Sequence, residues 1–160
     1  MSSENIGTCS KTVYATRRFV RLSQFLRHSA RPIFALDVDC VVQKDIVRSV
    51  PADFDALVYR RSNECFINMQ VQGGFLAVTA SAQDFIDFIA AYILNFEQNN
   101  SAKWFLDQMA LVAACTWFAA NVPQLRIIDA PRKMINLSAE HSLDYITWQY
   151  KGLLKLESFE

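Results

Sequence analysis

A chain of 160 residues, 52% of them apolar and 12 of them Phe, can bury a real core as one domain and is not a disordered chain. Its 16 basic and 16 acidic residues balance, so no global field draws it to nucleic acid or to an anionic membrane, and any phosphate must be met by a local cluster. The four cysteines form no C-x-x-C pair and there are only two histidines, which argues against a zinc site and against a histidine-rich metal site.

Residues 1–11 are polar, lack the apolar core of a signal peptide and are expected to be irregular; residues 12–160 read as a single domain. No run of about 18 apolar residues occurs, so no transmembrane segment is expected and a cytoplasmic location is the default. From Thr12 to His28, apolar residues at mostly helical spacing alternate with Arg17, Arg18, Arg21 and Arg27, which predicts an amphipathic helix broken by Pro32.

The next stretch, Ile33 to Val42 (IFALDVDCVV), runs four apolar residues into two carboxylates and on into apolar residues again. It reads as one buried strand of an α/β sheet, with Asp37 and Asp39 on the same face about 6.5–7 Å apart. Two charges at the end of a buried strand are costly unless something positive meets them. A hard divalent cation is the simplest such partner; the plainer alternative is a strand edge where both aspartates reach solvent.

Lys44 to Ser49 predicts a turn or two of helix, Asp55 to Tyr59 a short strand, and Gly73 to Thr79 another. Gly73 and Gly74 are two of only four glycines, and none lies in a phosphate-cradling G-x-G-x-x-G loop; adjacent glycines before a strand imply close backbone approach or positive φ. Ser81 and Asp84 resemble a capping box opening a largely buried helix through Asn95. A second long helix is expected from Ala102 to Ala120, stopped by Asn121 and Pro123, then strands at Leu125 to Ile128 and Ile146 to Tyr150. Cys40 and Cys115 lie among apolar residues and read as small core residues.

Taken in order, YATRRF (14–19), FALDVDCVV (34–42), VQGGFLAV (71–78), WFLDQMAL (104–111) and QYKGLLK (149–155) resemble the C-terminal two-thirds of a GT-A glycosyltransferase of the family 8-like kind. The resemblance implies an α/β fold, a mixed and mostly parallel sheet flanked by helices, lacking the N-terminal nucleoside-binding βαβ region. It implies metal-dependent transfer of a sugar from a nucleotide-sugar, a UDP-sugar being the expected donor, to an unknown acceptor. It implies Mn²⁺ or Mg²⁺ on the DxD pair Asp37 and Asp39. Gln149, standing where the family has His, would be the third metal ligand.

By the same resemblance Arg18, Gln72, Gly73, Gly74, Lys151, Gly152 and Lys155 contact the donor, and Asp107 and Gln108 bracket the reacting face of the sugar. With so little chain before Tyr14, a truncated or inactive fragment is one expectation. A haloacid dehalogenase-type phosphatase, with Asp37 as nucleophile in its DVD loop, and a non-catalytic remnant that binds a partner are the alternatives.

Overall fold

The computed structural model describes residues 11–61, 66–99, 101, 105–137 and 142–149, with side chains in the first helix from Ala15 onward. In chain order the elements are α1 (Lys11–Leu26), β1 (Ile33–Leu36), β2 (Cys40–Val42), α2 (Ile46–Ser49), β3 (Ala56–Arg60) and β4 (Val71–Val78). Then come α3 (Gln83–Gln98), α4 (Leu106–Asn121), β5 (Ile127–Asp129), β6 (Ile135–Asn136) and β7 (Thr147–Gln149), with single 3₁₀ turns at 67–69, 80–82 and 132–134. Beyond β5 the chain carries a further short strand, β6, that the sequence pattern does not predict.

The strands form a four-stranded sheet in the order β1-β4-β3-β5 and a three-stranded one in the order β2-β7-β6. The α/β architecture with mixed sheets is the one expected, but the balance of directions differs. Antiparallel pairings (β1 with β4, β3 with β4, β2 with β7) outnumber parallel ones (β3 with β5, β6 with β7) among the described strands. The reason is connection length. Residues 61–70 between β3 and β4 are too few for a parallel crossover, which takes about a dozen residues or more, whereas the chain returns from β3 to β5 through two long helices.

All eight residues of β4 are buried. Its Leu76 and Val78, with Ala56 and Val58 of β3, pack against Phe19, Phe85, Ile89, Leu111 and Phe118 of the helices. The intervening Phe75, Ala77 and Leu57 face the other way, against Met134, Ile135 and Ile146. The period-two alternation of a strand thus feeds two cores, with helices on one face and the small sheet on the other.

Two local expectations are corrected. IFALDVDCVV is not one buried strand: β1 is half-buried, Asp37 to Asp39 form a turn, and β2 belongs to the other sheet. The Ser81–Asp84 capping box does not form. Ser81 is wound into the 3₁₀ turn, Ala82 takes the N-cap position of α3, and no side chain caps it.

Candidate active site

The turn between the sheets carries the aspartates. Asp37 N–H donates to Gly74 O over 3.0 Å, extending the β1–β4 ladder by one rung. Cys40 N–H donates back to Asp37 O over 3.0 Å and closes a tight turn that leaves Val38 95% exposed. Crossing from one sheet to the other, rather than strand alternation, aims the carboxylates. Because Cys40 pairs with Gln149, the turn folds over the end of β7, and Gln149 Nε2 donates to Asp37 Oδ2 (2.6 Å) and Asp39 Oδ1 (3.1 Å).

The positive partner of this pair is a residue of the chain itself. Arg18 of α1 forms an ion pair with Asp37 through Nη1; through Nη2 it donates to Asp107 Oδ2 (3.0 Å) and to Gly73 O (2.7 Å). Burial pushes the guanidinium below its ordinary value, opposed first by the charge of Asp107. Its Nε is enclosed without a hydrogen-bond partner among the described residues. Asp107 stands in the first turn of α4, where its Oδ1 accepts from Gln108 N–H (2.9 Å). Phe105, which precedes α4, holds a left-handed φ of 70°, a strained conformation for an aromatic residue.

The two glycines make this crowding possible. The register of β3 against β4 slips between Val58 and Tyr59, so Gly73, Gly74 and Phe75 form an irregular stretch of β4. A Cβ on Gly73 would lie 2.5 Å from Asp107 Oδ2, and one on Gly74 would lie 2.7 Å from Asp37 Oδ2. Neither glycine has positive φ, so of the two reasons expected for adjacent glycines, close approach is the operative one.

Gln72 and Gln149 are buried beside them. Gln72 Nε2 donates to Gln149 Oε1 over 2.9 Å, and Arg61 donates to Gln72 Oε1. Gln108, about 100° round the helix from Asp107, faces away from Arg18. In the orientation that satisfies its amide, the nitrogen donates to Asn68 O (3.0 Å) and Val71 O (3.1 Å). Arg18, Asp37, Asp39, Gln72, Gly73, Gly74, Asp107, Gln108 and Gln149 therefore border one cleft of about 410 Å³. Lys151, Gly152 and Lys155 lie outside the described residues. Sequence reasoning missed the Phe105 wall and Arg61. Arg61 sits in no motif, and its only signal is a basic residue following a buried strand.

The donor set can be tested for a hard cation. Among the described residues no three His, Cys, Asp or Glu side chains converge as a metal site. Two carboxylates meet at one point, however, and Mg²⁺ is ordinarily held by one or two carboxylates with water and substrate phosphates completing the shell. The aspartate oxygens fit such an ion. Gln149 faces them with nitrogen, and its oxygen would reach an ion only after the amide turned over.

No protein-family model matches the sequence, and no curated protein matches it. No helix among the described residues is long and apolar enough to cross a membrane. Among solved structures, the chain is similar to the crystal structure of a glycosyltransferase involved in the glycosylation of the major capsid of PBCV-1. The TM-score is 0.63 at 17% identity, over 94% of this chain and 75% of that one, a likeness of α/β fold.

Proposed function

We propose that the protein is a glycosyltransferase of the family 8-like kind, which moves a sugar from a nucleoside-diphospho-sugar, in the first instance a UDP-sugar, to an acceptor hydroxyl. One observation carries the reading: on a fold similar to that of a glycosyltransferase, the paired carboxylates Asp37 and Asp39 and the helix-borne Asp107 border one cleft, with Asp37 and Asp107 bridged by the Arg18 guanidinium.

Asp37 and Asp39 would hold Mn²⁺ or Mg²⁺, which when bound supplies positive charge to the two phosphates of the leaving group. The remaining work falls to the chain. Gly73 and Gly74 let the carboxylates of Asp107 and Asp37 come up against β4, where a Cβ would meet them. Asp107 sets a negative charge beside the reacting carbon, where glycosyl transfer develops positive charge. The bond between the anomeric carbon and phosphate oxygen breaks, its electron pair leaves with the nucleoside diphosphate, and the acceptor oxygen forms the new bond as its proton passes to the departing phosphate oxygen. Arg18 holds Asp37 and Asp107 in place through that exchange.

The phosphatase reading gains no support. Among the described strands β1, whose end carries Asp37, lies at the edge of its sheet and runs antiparallel to its neighbour.

The test is release of nucleoside diphosphate from a panel of nucleotide-sugars with Mn²⁺. Slow hydrolysis is expected, because water can replace an acceptor, and Asp39→Asn should abolish it. Phosphate release from phosphomonoesters, lost in Asp37→Asn and with no nucleotide-sugar turned over, would overturn the proposal.

A further inference from the structure

A chain of side chains running to the aspartates has its direction fixed at both ends. Arg61, just beyond β3, donates to Gln72 Oε1; Gln72 Nε2 donates to Gln149 Oε1 (2.9 Å); Gln149 Nε2 donates to Asp37 Oδ2 (2.6 Å) and Asp39 Oδ1 (3.1 Å). A guanidinium offers only donors, an ionised carboxylate only acceptors, and each amide between them has one end of each kind. With Arg61 at the head, Gln72 must turn its oxygen to Arg61 and its nitrogen to Gln149. Gln149 must then turn its oxygen to Gln72 and both N–H groups to the aspartates. Reversing either amide sets nitrogen against nitrogen at one junction and oxygen against an acceptor at another. Gln72 is 2% exposed and Gln149 3%, so water does not replace a lost partner.

We propose that Arg61 is a positioning residue. Acting through Gln72, it holds Gln149 as a donor of both amide hydrogens to Asp37 and Asp39. A cation on the aspartates is then bound without Gln149, and the rest of its shell falls to water and to the donor's phosphates. The second half of this proposal rests on the transferase reading; the first half concerns the chain alone. Its consequence is that a free cation competes with two charge-assisted N–H bonds for the same oxygens, and a cation already carrying a diphosphate is favoured over a bare one.

The experiment has two arms on the full chain. The first needs no metal. The side-chain amide resonances of Gln149, assigned by their loss in Gln149→Leu, are followed by ¹⁵N NMR. In Arg61→Met they should move toward positions of an unconstrained amide, and in Arg61→Lys they should stay, because an ammonium is also donor-only. Unchanged Gln149 signals in Arg61→Met would overturn the proposal whatever the metal does.

The second arm measures Mn²⁺ affinity by electron paramagnetic resonance. Freeing Gln149 Oε1 to turn to the ion should lower the dissociation constant by on the order of 3- to 10-fold in Arg61→Met, with Arg61→Lys unchanged. Gln72→Leu breaks the same chain without altering charge and must give both changes, which separates the donor chain from loss of a nearby cation and serves if Arg61→Met does not fold. Equal or weaker Mn²⁺ binding in both chain-breaking variants would overturn the proposal. Absence of Mn²⁺ binding to every form, even with a nucleoside diphosphate, would instead remove the transferase reading and leave the first arm to decide the donor chain.

Discussion

At Gly73 the room for a side chain is already taken by an ion pair: a Cβ there would meet Asp107 Oδ2 at 2.5 Å and Arg18 Nη2 at 3.2 Å. Asp107 is short and held by Arg18, so it cannot swing aside cheaply. Gly73→Ala should therefore destabilise by about 1–3 kcal/mol, the usual range for overpacking. In an Asp107→Ala background most of that cost should vanish, because the methyl would then meet an empty place. Urea denaturation of the four forms of this cycle checks it, and additive effects would show that the clash is with something else. Arg18 is the hub of the same contacts. Its loss leaves two carboxylates, 24% and 13% exposed, without their cation. Arg18→Met should cost about 1–3 kcal/mol, less than a fully buried pair because solvent reaches both acids. Arg18→Lys should recover only part, since an ammonium lacks the fork that spans Asp37, Asp107 and Gly73 O.

Helices α3 and α4 are joined by an aromatic seam. Phe118 meets Phe85 edge-on at 5.5 Å and Phe88 at 6.0 Å, and Trp117 stacks on Phe88 at 5.8 Å. Phe118 is buried at the centre, so Phe118→Ala should cost about 3–5 kcal/mol, read from the midpoint of chemical unfolding. On β3, burial pushes the Tyr59 hydroxyl above its ordinary value. The folded chain thus holds that proton more tightly than the unfolded one. The resulting stability is complete below the unfolded pKa of about 10 and is lost as pH rises through the higher folded value. Stability measured from pH 8 to 11 should fall less steeply in Tyr59→Phe.

These elements differ in how far their sequence betrayed them. The long helices were legible because their apolar spacing repeats over several turns. The split of IFALDVDCVV into β1, a turn and β2 was not, because an apolar run looks the same whether one sheet or two receive it. In the site, Arg18 and Asp107 were legible as motif residues, but their pairing across α1 and α4 is tertiary. That pairing answers with a guanidinium the positive charge that the aspartates' sequence assigned to a metal. The polarity of Gln149 was also out of reach, because it is set by Arg61, a residue with no motif of its own.

Across the whole molecule, the cleft lies where five separate pieces of chain meet. Arg18 comes from α1, the aspartates from the turn joining the two sheets, Gln72, Gly73 and Gly74 from β4, Asp107 from α4 and Gln149 from β7. A ligand that bridges these pieces binds only the folded chain, so its affinity must appear as global stability, by RT ln(1 + [L]/Kd). Arg18 and Gln149 already occupy the aspartate oxygens, so Mn²⁺ alone should raise the melting temperature little. Mn²⁺ with uridine diphosphate should do more. At about 100 times Kd the gain is about 2.7 kcal/mol, and at about 2–4 °C per kcal/mol for a chain of this size that is roughly 5–10 °C. Asp39→Ala removes one carboxylate without touching the Arg18 contacts, so it should fold, melt near the parent temperature and lose both responses. A response to Mn²⁺ and diphosphate that survives in Asp39→Ala would place the cation elsewhere on the chain and separate this cleft from the proposed transfer.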